Sequence, residues 1–282
     1  KEIARAMTQC GPIIRDVPMK DSKGLEVTIS MQDPFATLNV VCEHSEDYAR
    51  IVESALAANE CSPGNPWDII IYQDGIDPSD MGVKHHSRKS VVFYWSFGQL
   101  GQYALGYEPV WFTLCVLRHT EVMKLEGEHC MLTQTLLGLF HSRQHDITRA
   151  GVTVQLRGHA AHLFGKIRVL FADIPALKEM LSWKGHTGLK CCCLCINVLQ
   201  HYAMESAPEG MVSIANADFN RLQLHTDETV RATIRRINAL HTDMLNGVIT
   251  KTAFMERTTI LGWTWNPATY LLDRRLGFGV AS

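Results

Sequence analysis

Apolar residues recur along the middle of the chain in short, sharply bounded runs. Residues 67–74 (WDIIIYQD) are almost continuously apolar and close on Asp-Gly, the pattern of a buried strand. Residues 90–97 (SVVFYWSF) are β-branched and aromatic, and 110–118 (VWFTLCVLR) repeat the pattern, so a second and third strand follow. Residues 128–142 have helical periodicity, and 152–158 (VTVQLRG) alternate like a half-exposed strand. Residues 166–173 (KIRVLFAD) form another buried run closed by an acid. A helix over 174–183 follows at once, with Pro175 in its first turn, where proline is tolerated. Upstream, Ser45 is placed to cap a helix over 45–59, whose apolar positions are Tyr48, Ile51, Val52 and Ala55, and CSPGNP (61–66) breaks the chain. Residues 1–45 read as turns with short β-like pieces, LEVTIS and TLNVVC. Downstream, 226–247 form one long amphipathic helix capped by Thr226 and ended by Asn-Gly, and 261–282 are apolar and turn-rich.

Three strands joined by short turns imply antiparallel pairing, and a strand reached through a helical crossover can join parallel. The expected class is therefore α/β, a mixed sheet with flanking helices. The 282 residues suit one large or two small domains. Hydrophobic residues at 46% and charged residues at 20% are ordinary for a folded domain. No apolar run is long enough for a membrane span and no signal-type stretch opens the chain, so no membrane partner is expected. The first residue is Lys, so the natural start is expected to be missing. Net charge is −2, without the basic surplus of a dedicated nucleic-acid binder. The charge is locally uneven: KHHSRK (84–89) and RATIRR (231–236) are basic clusters suited to phosphates or to plain solvation. Nine cysteines, four of them crowded into KCCCLC (190–195), do not form the even framework of a secreted domain and point to a reducing, intracellular compartment.

Asp74 and Asp173 each close a buried strand. Ligand sites in open α/β sheets gather at the carboxyl ends of strands, and neighbouring carboxylates bind hard cations. Two Mg²⁺ or Mn²⁺ ions held there would activate a hydroxyl and stabilise the leaving oxygen of a phosphodiester. The alternative is local: Asp after a strand starts turns and caps helices, which suits Asp173 before Ile174, while Asp77 and Asp80 read as turn residues. Cys192 and Cys195 have the spacing that lets two thiolates reach one tetrahedral zinc, the second pair of ligands coming from histidines such as His186, His201, His225 or His241. The alternative is an inert thiol cluster. The histidines of RQHD (143–146) and GHAAH (158–162) fall in connecting segments with surface roles, Glu108 reads as a turn residue, and Glu256 has no evident partner. No Gly-x-Ser-x-Gly, Walker or Rossmann glycine pattern is present.

Taken together, IYQDG…RKSVVFYWSFGQLG…YEPVWFTLCVLR and LFADIPALKEMLSWKGHTGLKCCCLCINV resemble eukaryotic cut-and-paste transposases of the Plavaka-like and Kyakuja-Dileera-Zisupton groups, with the CACTA type nearby. The resemblance covers roughly residues 67–275, and LHTD (224–227) and GWTWNP (262–267) share it. It implies an RNase H-like catalytic domain with an acidic triad, a Cys-x-x-Cys insertion and a mainly helical C-terminal part. By position, Asp74 and Asp173 match the first two catalytic acids and ligands of Mg²⁺ or Mn²⁺. Cys192 and Cys195 match the zinc-type pair, and His225 is a further candidate zinc ligand. The third acid of the family sits in an Asp-x-Met-His-like motif on a later helix, which is not found here, and the surroundings of Asp273 do not match it. A truncated or decayed copy is the expectation, the tail GFGVAS being a fragment end or a frameshifted remnant.

The resemblance divides the chain into a flanking region (1–60), an RNase H-like core (61–190) and a Cys-x-x-Cys/helical region (191–282). It implies DNA strand transfer by two-metal-ion hydrolysis and attack by a freed 3′-hydroxyl, with transposon ends and target DNA as partners, a homo-oligomeric assembly and a nuclear location. The alternative is a catalytically dead or domesticated derivative that binds DNA or a partner. A third is an RNase H-like nuclease acting on hybrids or DNA ends.

Overall fold

The computed structural model describes residues 7–76, 89–141, 146–200, 209–216 and 218–274. The chain divides into two compact units, Lys1–Ala176 and Leu177–Ser282.

In the first unit, strands β1 (Ile14–Lys20) and β2 (Glu26–Gln32) form an antiparallel pair. Helices α1 (Pro34–His44) and α2 (Glu46–Ala58) follow. Then come β3 (Trp67–Ile76), β4 (Ser90–Phe97), β5 (Phe112–Arg118) and α3 (Glu128–Leu139). The hairpin β6 (Val152–Leu156) and β7 (His159–Leu163) leads into β8 (Gly165–Ala172) and α4 (Ile174–Leu181), which spans the division. The main sheet has the order β8-β3-β4-β5. β8 runs parallel to β3, and the other pairs are antiparallel. The α/β class, the mixed sheet and its four strands agree with the hydrophobic runs.

One face of this sheet is the core. Trp67, Ile69 and Ile71 of β3 alternate inward and are fully buried, as are Phe93, Trp95 and Phe97 of β4. Trp95 is the centre: its ring lies 5.3 Å from Phe97, 5.2 Å from Phe112 and 5.2 Å from Phe140. Phe35 of α1 reaches Phe140 at 6.3 Å and Tyr48 of α2 reaches Phe112 at 5.2 Å, so both helices close over this face. Gly165 is required where β8 begins: a Cβ there would lie 2.8 Å from Ile69 Cδ1.

Two expectations need correction. TLNVVC (37–42) is not β-like but the body of α1. Asp33, buried, accepts from the amides of Phe35 and Ala36 at 2.9 and 2.8 Å, and Pro34 occupies the first helical position. Capping and burial of Leu38 and Cys42 override the β preference of the branched residues. GHAAH (158–162) is not a connecting segment, because His159–Leu163 is a strand paired with β6. Arg157 and Gly158 have φ of 41° and 95°, the positive pair that a tight two-residue hairpin turn needs.

In the second unit, α5 (Asp227–Leu245) opens on a capping box at Thr226 and buries Val230, Ile234, Ile237 and Leu240. Helix α6 (Lys251–Leu261) ends at Gly262, whose φ is 79° and whose Cβ would run into the Lys190 carbonyl. Trp183 and Trp263 pair by an antiparallel bridge. Among the described residues, no helix is long and apolar enough to cross a membrane.

Trp95→Ala removes the ring on which Phe97, Phe112 and Phe140 converge and is expected to cost about 3–5 kcal/mol. Exposed Val116→Ala should change stability by less than about 0.5 kcal/mol. Urea denaturation of the two variants measures the contrast.

Candidate functional site

Asp74 lies near the end of β3 and Asp173 directly follows β8. The last registered pair between these parallel strands is Gln73 with Ala172, so the next residue on each strand is one of the two acids. Neighbouring strands lie about 4.8 Å apart, and residues in register share a face. The register depends on one irregularity. Ile167 faces Ile69, but Val169 faces Ile70, so Arg168 is an extra residue in β8. The side chain of Arg168 meets the Asp68 carboxylate at 3.3 Å.

Both acids are exposed, and each already serves the backbone. Asp74 Oδ1 accepts from the Gly75 amide at 2.7 Å, and Asp173 Oδ1 accepts from the Ala176 amide at 2.7 Å. The capping role considered for Asp173 is thus present. It uses one carboxylate oxygen and leaves lone pairs for a cation. Among the described residues, no third carboxylate, histidine or thiol gathers with Asp74 and Asp173 within 4.8 Å.

The face of the sheet that carries the acids is aromatic. Tyr72 stacks on Tyr94 at 5.9 Å and an interplanar angle of 23°, and touches Phe171 at 5.4 Å and Trp111 at 6.1 Å. Partial burial, then a hydrogen bond to the Asp74 carboxylate and its charge, raise the Tyr72 hydroxyl above its ordinary value, with the charges of Tyr94 and Asp173 adding. Tyr94 is raised by burial, then by Asp74 and Glu108. Glu108 sits in the short 3₁₀ turn Glu108–Val110, in keeping with a turn role.

In the second unit, Cys191 and Cys195 are buried while Cys192 and Cys193 are half-buried, and all four are free. Burial first, then a hydrogen bond to Cys192 and the neighbouring sulfurs, push the Cys195 thiol up to about 11. Cys193 is likewise pushed up to about 11, by burial first and then by Cys192. Such thiols ionise at neutral pH only against a compensating cation. Cys195 bridges Leu224, and the amide of His225 donates to the Leu194 carbonyl at 2.7 Å, which brings His225 beside the cysteine segment. Its Nδ1 lies 3.0 Å from the Thr229 hydroxyl, leaving Nε2 as the free ligand atom. The ligand atoms of Cys192, Cys195 and His225 do not all lie within 4.8 Å of one another. Asn197 locks the same segment: its buried side chain donates to the carbonyls of Gly210 and Arg221 at 2.9 and 2.8 Å and accepts from the Gln223 amide at 3.0 Å.

The other candidates have structural explanations or lie elsewhere. His186 is exposed, and His241 stacks on Trp265 at 3.6 Å. In RATIRR, Arg231 pairs with Asp227 at 3.1 Å and Arg235 with Glu228 at 3.0 Å, so that cluster is largely neutralised along its own helix. Glu256 is exposed on α6. Asp77, Asp80, His201, residues 84–88 of KHHSRK, residues 143–145 of RQHD and the GFGVAS tail lie outside the described residues.

Sequence reasoning missed a histidine pair in the first unit. His129 Nε2 lies 3.3 Å from His119 Nδ1. Burial, then the charges of His119 and Lys89, lower His129 to about 4. No local motif marks the pair; only His129's position on the apolar face of its helix hints at burial.

If the cysteine segment holds zinc, as the family resemblance implies, replacing Cys192 with Ser should lower the zinc content of purified protein toward zero and reduce its thermal stability; unchanged metal content and stability would overturn that expectation. For His129, a folded pKa near 4 against an ordinary 6.5 means that the unfolded chain binds the proton first, so stability falls as pH drops from about 6.5 to about 4. His129→Gln should make that fall of melting temperature shallower.

No protein-family model matches the chain, and no curated protein matches it.

Proposed function

We propose that the first unit carries the metal-binding half of an RNase H-like phosphodiester-cleaving site, in a DNA transposase fragment. One observation carries the reading: Asp74 and Asp173 follow the last registered pair of two adjacent parallel strands. Support also comes from the strand order. An antiparallel meander β3-β4-β5, then a crossover containing α3 and a parallel β8 beside β3, is the arrangement expected of an RNase H-like core.

In this reading Asp74 and Asp173 hold Mg²⁺ or Mn²⁺, which would supply Lewis-acid activation of the attacking hydroxyl and charge stabilisation of the leaving oxygen. The chain's own part is to fix the two carboxylates on one face, each tied to a backbone amide, so that little reorganisation is needed on binding. DNA is the substrate class, and transposon ends, target DNA, a homo-oligomer and a nuclear location go with it. The Cys192–Cys195 pair, with His225 nearby, supplies a structural zinc site in the second unit.

A second reading is a catalytically dead derivative that binds DNA or a partner. It is favoured by the pair of acids having no third ligand group close by among the described residues.

Incubation with supercoiled plasmid and Mn²⁺ separates the two. Catalysis predicts nicked product, lowered about 100-fold or more by Asp74→Asn and by Asp173→Asn, the loss that corresponds to several kcal/mol of metal stabilisation. DNA binding with no nicking that depends on these residues supports the second reading.

A further inference from the structure

His119 and His129 meet in the first unit although neither belongs to the acidic pair. His119 opens the short helical turn His119–Val122 directly after β5, and His129 stands in the first turn of α3. The connection between them is pinned at several points. Val122 and Leu125 are buried. The Ser22 amide donates to the Lys124 carbonyl at 2.8 Å and the Glu126 amide to the Lys20 carbonyl at 2.9 Å, so the β1–β2 hairpin holds the connection. The His119 amide donates to the Lys89 carbonyl at 2.8 Å. Gly127 and Glu128 have φ of 77° and 51°, a conformation uncommon for a non-glycine residue that persists only where its surroundings impose it. His129, which follows this turn, is 2% exposed.

The separation of the two rings distinguishes their roles. His129 Nε2 lies 3.3 Å from His119 Nδ1. Hydrogen bonds from N–H donors ordinarily span about 2.7–3.2 Å, so the pair is long for one. Zinc binds imidazole nitrogen at about 2.0–2.1 Å, and two ligands of one tetrahedral ion then stand about 3.3–3.4 Å apart. The two nitrogens have the spacing of ligands that share an ion.

We propose that His119 and His129 form half of a binding site for a divalent transition metal of the zinc class, its remaining positions taken by water or an exchangeable ligand. The proposal is independent of the acids Asp74 and Asp173 and of the cysteine segment. Imidazole suits zinc, copper and nickel, whereas Mg²⁺ and Mn²⁺ prefer oxygen ligands. The charge of Lys89, felt at His129, and the partial positive charge at the start of α3 both oppose a cation here, so only a metal with strong affinity for imidazole is retained. Half-buried His119 gives the ion its way in from solvent. Once bound, the ion ties the end of β5 to the start of α3 across a connection that is already fixed, so little ordering is needed on binding.

The test titrates the full 282-residue chain, stripped of metal and kept in excess Mg²⁺, with Zn²⁺ against a zinc-sensitive dye. Mg²⁺ occupies oxygen sites and leaves the imidazoles open. His119→Gln keeps a side chain able to hydrogen-bond His129 and should leave the metal-free melting temperature unchanged while removing one equivalent of bound Zn²⁺. His129→Asn should remove the same equivalent, and the double variant should lose one equivalent and not two, which two separate sites would not produce. The loss should be the same in a Cys192→Ser background. If His119→Gln takes up as much Zn²⁺ as the wild type, the pair is a plain hydrogen bond and the proposal is overturned. If the difference disappears in the Cys192→Ser background, the zinc belongs to the cysteine segment and the proposal is likewise overturned.

Discussion

The parallel pairing of β8 against β3 is the constraint on which the candidate site depends. Side chains alternate between the two faces of a sheet, so a shift of one residue in register sends every following side chain to the opposite face. β8 contains such a shift at Arg168. Without it, Ala172 would lie beside Asp74, and Asp173 would turn toward the core face that Trp67, Ile69 and Ile71 fill. The extra residue is held by the contact of Arg168 with Asp68, on the exposed side. A partly exposed ion pair stabilises little by itself. Its importance is geometric, since it anchors the bulge that brings two distant acids onto one face.

The rest of the first unit keeps that pairing in place. Burial of Trp95 and its aromatic neighbours on the opposite face ties α1 and α2 to the sheet, and close packing there leaves Ile69 in contact distance of the start of β8. The aromatic face that carries the acids is different in character. It is less covered, with Phe171 and Val169 exposed, and its order comes from ring-on-ring contacts around Tyr72.

Much of the fold was legible in the sequence because its signals are local. The runs at 67–74 and 90–97 are β-branched, aromatic and bounded by turn residues, and each forms the strand expected. Thr226 and Ser45 cap the helices that their positions predict. Failures occur where a non-local term decides. TLNVVC has β-favouring composition, but Asp33 is buried at its start with Arg15 at 2.9 Å, and the helix forms from that cap. Helix α6 has no legible sequence signal, because its apolar residues are spread around the cylinder and give no stripe. The bulge at Arg168 was invisible, since K-I-R-V-L-F-A reads as an ordinary strand with or without a slip. Asp74 and Asp173 could be named from their place after apolar runs, but their adjacency is a property of pairing. The same holds for His225, which meets the cysteine segment through the Cys195–Leu224 bridge, and for Tyr72, whose surroundings come from three separate segments.

The bond from the Ala176 amide to Asp173 has an electrostatic side as well. Like charges at neighbouring positions of adjacent strands repel by roughly 1 kcal/mol in water-like surroundings, and by more where water is excluded. Asp173 stands at the start of α4, where unpaired amide groups and aligned peptide dipoles place a partial positive charge worth about 0.3–1 kcal/mol to a nearby anion. The two figures are of similar size. The helix start therefore acts as a built-in fractional counter-charge at Asp173, offsetting repulsion from an acid on the adjacent strand.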